Sequence, residues 1–345
     1  MTRQAGLSPG AGLSMADVEA AARTIAGRAD ATPLIPSPYM SARAGGDFLL
    51  KMETMQPIGA FKLRGALNAV AALPEDTPGV TCCSTGNHGR GVAYAARARG
   101  MRAVICMSDL VPQAKIDGIR ALGAEVRIAG RSQDDALAES QRLVAAEGLA
   151  EISPFDDPRV IAGQATIGLE ILRARPDVAT LLVPLSGGGL AAGVAFAAKS
   201  LNPAVRVIGI TMDRGAAMAA SLAAGRPVEV EEVPSLADSL GGGIGLHNRL
   251  SFPMCRALLD EVILVSEEEI YHAMQVLYHE DRMVAEGASV VGLAAVLAGR
   301  VTDLAAPVAT VVTGRNLDMA IFTKIVTGQD IALGHHVLKG RAYAA

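Results

Sequence analysis

The sequence contains no tryptophan, and all aromatic residues together make up 3% of the 345-residue chain. So few ring faces argue against a platform for stacking single-stranded nucleic acid. A basic excess is missing too, with 31 Lys and Arg against 35 Asp and Glu. Phosphate backbones demand clustered cations, so no nucleic-acid partner is expected. Cysteine is scarce: Cys82, Cys83, Cys106 and Cys255 show neither a secreted disulfide spacing nor a CxxC metal pair, the pattern of reduced thiols. The first fifteen residues lack the continuous apolar core of a signal peptide and read as a disordered arm, which makes a cytoplasmic location the expectation. One charge-free stretch, 178–198, has the length of a bilayer crossing. Pro184 and the run Gly187-Gly188-Gly189 would break a helix there, so strand, loop and helix are expected and no membrane contact.

What the chain does have is apolar residues, 50% of the total, enough to bury a large core. Short β-rich runs alternate with helical patterns, which points to an α/β fold with a parallel sheet and helices on its faces. Strands are predicted at 48–53, 79–84, 102–107, 124–128, 179–184, 206–211, 261–265 and 307–312. Two helix starts are well marked: Asp157 before Pro158, and Ser266 with Glu269 as a capping box. No repeat or low-complexity linker divides the chain, so a second domain is expected as an insertion.

Four segments carry candidate chemistry. Lys62 is one of only six lysines and lies between Phe61 and Leu63, after a strand and a turn, at an expected helix start. Burial and the positive helix end both favour a neutral amine there, as a Schiff-base lysine requires, although most lysines are surface groups with snorkelling stems. Ser186-Gly187-Gly188-Gly189-Leu190 links a strand to a helix, where missing side chains let backbone N–H groups wrap a phosphate. The same loop fits a loose dinucleotide pattern with Asp213 on the next strand, and close helix–sheet packing would also explain the glycines. Ser84-Thr85-Gly86-Asn87-His88 offers N–H groups for a substrate carboxylate and an Asn87 amide for a phenolic oxygen, or Asn87 and His88 simply cap a helix. Thr313-Gly314-Arg315-Asn316 puts a hydroxyl at the end of the last strand, facing a ring nitrogen or forming an ordinary turn.

Taken in this order, and with Thr32-Pro33-Leu34, Lys51, Glu53, Gly59 to Ala66 and Val160 to Gln164, these segments resemble the fold-type II pyridoxal-phosphate (PLP) enzymes, in particular the serine/threonine dehydratase and serine racemase group. The resemblance spans about residues 28 to 326. It implies a tryptophan synthase β-like fold of two open, twisted, mainly parallel sheets with helices on both faces. A large PLP-binding domain would comprise 1–72 and 156–345, with 73–155 a small domain inserted in it, and a homodimer is the family expectation. By the same resemblance Lys62 carries the cofactor as a Schiff base beside Phe61, and Ser186, Gly187, Gly188, Gly189 and Leu190 hold its phosphate. Asn87 then bonds the ring hydroxyl and Thr313 the ring nitrogen, while Ser84, Thr85, Gly86, Asn87 and His88 grip the substrate.

The implied reaction removes water and then ammonia from a β-hydroxy-α-amino acid, leaving a 2-oxo acid. Lys62 and Thr85 are the catalytic candidates. Thr85 stands where racemases of the group have serine and many threonine dehydratases have alanine. Thr211 and Ala217 occupy the places of the group's metal-binding carboxylates, so no Mg or Ca site is expected. Arg315 replaces a common glycine. In Asp238-Ser239-Leu240-Gly241-Gly242-Gly243-Ile244-Gly245, three consecutive glycines are expected to widen the substrate pocket, with Gly241 and Gly242 as substrate-binding candidates, or to form a tight flexible turn. Over its length the chain is most similar to dehydratases of hydroxyectoine-utilisation clusters. The amidine nitrogens of intact hydroxyectoine cannot readily condense with an aldehyde, so a ring-opened amino acid such as 3-hydroxy-2,4-diaminobutyrate is the expected substrate. Threonine or serine dehydration, serine racemisation and dinucleotide binding are the alternatives.

Overall fold

A computed structural model describes residues 12–84, 86–111 and 113–344. Ser14 opens helix α1 (Met15–Ile25) with a full capping box to Asp17, and Leu13 before it is only 4% exposed. The arm predicted for residues 1–15 is therefore corrected at 12–15, because an apolar anchor and a cap fasten the chain there; residues 1–11 lie outside the described residues. Strand β1 (Leu34–Pro36) and helix α2 (Pro38–Ala44) lead into β2 (Phe48–Met52), whose five residues are all buried. Helix α3 (Lys62–Ala71) follows.

The middle of the chain builds β3 (Val80–Cys83), α4 (Asn87–Arg99), β4 (Ala103–Met107), α5 (Gln113–Ala121), β5 (Glu125–Ile128), α6 (Gln133–Glu147) and β6 (Ala150–Glu151). It then returns through α7 (Pro158–Ala174), β7 (Thr180–Pro184), α8 (Gly189–Leu201), β8 (Arg206–Met212) and α9 (Ala217–Ala224). Helix α10 (Ser251–Leu258), β9 (Glu261–Val265), α11 (Glu267–Asp281), α12 (Val291–Leu297), β10 (Val308–Val312), α13 (Met319–Val326), β11 (Ile331–Leu333) and β12 (His336–Leu338) complete it. Asp157 caps α7 with Pro158 in its first turn, and Ser266 and Glu269 form their box on α11.

Six strands form one sheet in the order β1-β2-β10-β7-β8-β9, with only β1 antiparallel to its neighbour. A second sheet, β5-β4-β3-β6, is wholly parallel. Parallel strands need crossover helices, and these cover the sheets. The stretch 178–198 forms β7, a loop and the start of α8; no described helix is long and apolar enough to cross a membrane.

Helices α3 and α7 meet almost backbone to backbone. A Cβ at Gly163 would lie 2.6 Å from the carbonyl oxygen of Arg64 and the Cα of Gly65, which only glycine tolerates. Behind this crossing lies a buried ionic cluster. Arg64 makes a fork on Glu53, with Nε to Oε2 and Nη2 to Oε1 each 2.8 Å, and both side chains are fully buried. Thr32 and Gln56 donate to the same carboxylate, while Glu170 takes Arg64 on one side and Lys51 on the other. Burial alone would push the Glu53 pKa up; the Arg64 charge and its hydrogen bonds outweigh this and bring it below the usual carboxylate range. The cluster grips α3 at Arg64, two residues from Lys62.

Candidate active site

Lys62 is the first residue of α3, so its ammonium form would sit at the positive end of a helix. Its part-buried amine donates to the Pro154 carbonyl at 2.8 Å and has no ion pair among the described residues. Burial draws its pKa down to about 8, so roughly a tenth of it is neutral at pH 7. The preceding turn is pinned to the end of β10, because Phe61 N–H donates to Thr313 O at 2.9 Å and Arg315 N–H to Gly59 O at 2.9 Å. Arg315 itself is exposed, with its Cγ passing 3.2 Å from the place of a Cβ on Gly59.

The glycine loop joins β7 to α8. Gly188 has φ +90°, and a Cβ there would meet Met218, Cys255 and Ser251 at 2.7–3.1 Å. A Cβ on Gly187 or Gly189 would strike Phe155, whose backbone continues from Pro154. Ser186 is half-buried before the loop and Leu190 is buried after it. Asp213, the ribose partner in a dinucleotide site, is exposed just past β8. Thr211 is buried in β8, where its hydroxyl donates to the Met212 sulfur at 3.6 Å, and Ala217 adds only a methyl group.

Thr313 is 4% exposed, and its hydroxyl lies 2.9 Å from that of Ser289. Ser289 also donates to the Gly314 carbonyl and accepts from the Gly314 N–H, both at 2.8 Å. Ser289 has a single proton. When that proton goes to Gly314, Thr313 donates to Ser289; when it turns to Thr313, the threonine proton is released for a ligand.

The turn after β3 meets α4 at Gly86, and no side chain caps that helix. Its first N–H groups are therefore open to an anion. Neither Asn87 nor His88 acts as the cap. Asn87 Nδ2 lies 3.0 and 3.1 Å from the two carboxylate oxygens of Glu286, and its Oδ1 accepts from Asn316 Nδ2 at 2.7 Å. One Asn87 proton remains to face outward. His88 Nε2 lies 2.7 Å from Ile152 O, which fixes the proton on Nε2, because a carbonyl only accepts. Ser84 and Gly86 are half-buried beside them, and Thr85 lies outside the described residues.

The burial of His88, helped by the nearby Lys62 amine and opposed by the bond to Ile152, pulls its pKa down to about 3. Because an unfolded histidine protonates near 6.5, the unfolded chain takes up a proton below that pH that the folded chain refuses. Stability should thus fall as pH drops from about 6.5 towards 3, with a slope approaching about 1.4 kcal/mol per pH unit from this residue. Denaturant melts of wild type and His88→Gln at several pH values check this; the variant should show the shallower acid limb.

Several neighbours left no mark in the sequence. Glu286 is 4% exposed and also accepts from Asn316 N–H at 2.7 Å and from Ser239 Oγ at 3.2 Å. Its burial, which outweighs these bonds, raises its pKa, and Asp238 adds to the rise. Gly241 and Gly242 follow Ser239, and Gly242 has φ +90° with no atom within 4 Å of a built Cβ. Beside them runs an open groove of about 280 Å³ lined by Glu232, Val233, Pro234, Ser235, Asp238 and Gly241.

These residues suit pyridoxal phosphate. No side chain caps α8 at the glycine loop, Lys62 has an amine without a carboxylate partner among the described residues, and Thr313 and Asn87 each keep a polar hydrogen in reserve. Known proteins point the same way. The family model described as "Pyridoxal-phosphate dependent enzyme" matches residues 25–314. A putative threonine dehydratase of Sinorhizobium fredii is 54% identical over 318 residues, covering 92% of this chain and 96% of the relative. An L-threonine ammonia-lyase of Thermotoga maritima is 40% identical over 94% of this chain and 81% of its own length. The structure of maize serine racemase superposes with a TM-score of 0.85 at 31% identity, covering 90% of this chain and 96% of that one.

Proposed function

The chain belongs to the pyridoxal-phosphate dependent enzyme family, and from that premise we propose that it removes water and then ammonia from a β-hydroxy-α-amino acid, with Lys62 as the point of cofactor attachment. It is a lyase of the threonine dehydratase group and uses pyridoxal phosphate. The single observation that carries the assignment of roles is the Lys62 amine: part-buried, at a helix mouth, drawn towards neutrality and hydrogen-bonded to a carbonyl. When bound, the cofactor withdraws electrons from the substrate α-carbon.

The protein does the rest. Ser186, Gly187, Gly188, Gly189 and Leu190 hold the phosphate, with Phe61 and Phe155 beside the loop and the lysine. The neutral Lys62 amine takes the Cα proton, aimed by Pro154. Ser84, Thr85, Gly86, Asn87 and His88 present the donors of the α4 N-terminus to the substrate carboxylate; His88 helps through its backbone, because its ring is engaged with Ile152. Asn87 offers its free proton to the ring hydroxyl. Thr313 would offer the ring nitrogen a neutral hydroxyl in place of a charged partner, the choice that suits loss of a β-hydroxyl. Residues 73–155 act in this scheme as a small domain inserted between 1–72 and 156–345. A homodimer in the cytoplasm is the expected working form.

For the substrate we favour a hydroxylated diamino acid, such as the ring-opened 3-hydroxy-2,4-diaminobutyrate of hydroxyectoine breakdown. Two features support it. Glu232 and Asp238 line the groove beside Gly241 without an ion pair among the described residues, so a second ammonium group would find partners there. The turn that carries them is tied to Asn87 through Ser239 and Glu286. Simple threonine dehydration is the second reading, favoured by the names of the relatives.

A panel of β-hydroxy-α-amino acids, read by ammonia release, separates the two. The diamino acid should exceed threonine and serine in kcat/KM by about tenfold or more, the scale of one good ionic contact. Faster turnover of threonine would return the enzyme to the ordinary dehydratases, and turnover of intact hydroxyectoine alone would defeat the ring-opened substrate. Chiral analysis of recovered serine tests for racemisation.

A further inference from the structure

We propose that Asp156 is a positioning residue for the phosphate cradle, setting the direction of the cradle's N–H donors through helix α10. In a planar trans peptide the C=O of one residue and the N–H of the next point in opposite directions. Fixing a carbonyl on one side therefore aims an amide hydrogen to the other. Ser251 Oγ donates to Gly187 O at 2.6 Å, which aims Gly188 N–H away from α10. Gly188 O accepts from Ala192 N–H at 2.8 Å, within α8, and from Cys255 Sγ at 3.6 Å, and the two together aim Gly189 N–H. Ser251 and Cys255 are both fully buried, and burial holds the Cys255 thiol protonated by pushing its pKa to about 12.

Helix α10 is in turn held from outside. Its N-cap, Leu250, has no side-chain oxygen with which to accept from the first amides, and Asn248 Oδ1 accepts from Phe252 N–H, at 2.8 Å. Asp156 takes that part from far along the chain: its Oδ1 accepts from Leu250 N at 2.8 Å and Ser251 N at 2.9 Å, and its Oδ2 from Arg249 N at 2.9 Å. Three backbone donors converge on one carboxylate. Charge-assisted bonds of this kind are about twice as strong as neutral ones. Asp156 also follows Pro154, which holds the Lys62 amine, and Phe155, which packs on Gly187 and Gly189. One tripeptide thus touches the amine, the glycine loop and the helix that orients the loop. Its carboxylate acts through α10, since both oxygens are already engaged.

The test compares two aldehydes on full-length apoprotein, pyridoxal phosphate and pyridoxal, which lacks the phosphate. Their affinities are read by absorbance titration, alongside the ³¹P NMR signal of the bound cofactor. Asp156→Asn should lower the ratio of the two affinities by about tenfold and shift the ³¹P signal, with pyridoxal affinity unchanged because it depends on Lys62. Ser251→Ala, which removes one hydroxyl, should move the ratio the same way and serves if Asp156→Asn does not fold. Equal losses for both aldehydes, or an unaltered ratio, overturn the proposal. Wild-type protein that binds neither aldehyde overturns the cofactor site and this inference with it. Turnover is not measured, so a wrong substrate would leave the result intact.

Discussion

Lys62→Ala is expected to reduce ammonia release by four orders of magnitude or more, on the scale of removing a nucleophile or base from a concerted site. It should also abolish the fixing of cofactor to the chain by borohydride. The loss will not come from unfolding. The amine has one hydrogen bond, to Pro154, and no carboxylate depends on it for charge. Its removal relieves the desolvation that draws its pKa to about 8, so stability should change by only about 1 kcal/mol. No other lysine is placed to replace it. Lys51 is more deeply buried, but it is tied to Glu170 and to the Thr32 carbonyl. Ammonia release at the wild-type rate in the variant, or borohydride labelling at Lys51, would sink the role assigned to Lys62.

A second large effect should appear in stability rather than chemistry. Glu53→Ala leaves the Arg64 guanidinium buried with Glu170 as its remaining carboxylate, and breaking one side of a buried pair costs about 3–5 kcal/mol. Chemical denaturation should show a lowered midpoint with little change in slope. The paired variant Glu53→Leu with Arg64→Met should recover much of the loss, because apolar residues of similar volume often replace a buried ion pair without penalty. A single variant as stable as wild type would show that Glu170 and Lys51 alone hold α3 in place.

The sheet was largely readable in the sequence because its inner strands are continuous apolar runs between turn residues, as parallel strands buried on both faces must be. FLLKM and VATVV need no neighbours to be recognised. Strands β1, β6, β11 and β12 escaped because two or three residues cannot display a period. Leu13 was read as part of an arm because its burial depends on residues that come much later in the chain. In the site, Lys62 and the glycine loop were visible by residue type. Glu286 was not: its partner Asn87 lies 199 positions away, and an isolated glutamate has the profile of a surface group. Pro154 acts through a backbone carbonyl, which no side-chain pattern can advertise. The joint work of Asp156, Ser251 and Cys255 appears only once two distant segments are folded together.

The two halves of the site hang from different sheets. Lys62, Thr313 and the glycine loop are mounted on the ends of β2, β10 and β7, whereas the turn from Ser84 to His88 hangs from β3. The two meet where Gly91 of α4 packs within reach of the Lys62 carbonyl and the Ala66 methyl. Lysine and glycine loop therefore share one frame, and the N–H donors of α4 ride on another that reaches it through Asn87 and Glu286, as the slide of a lathe is carried on its bed.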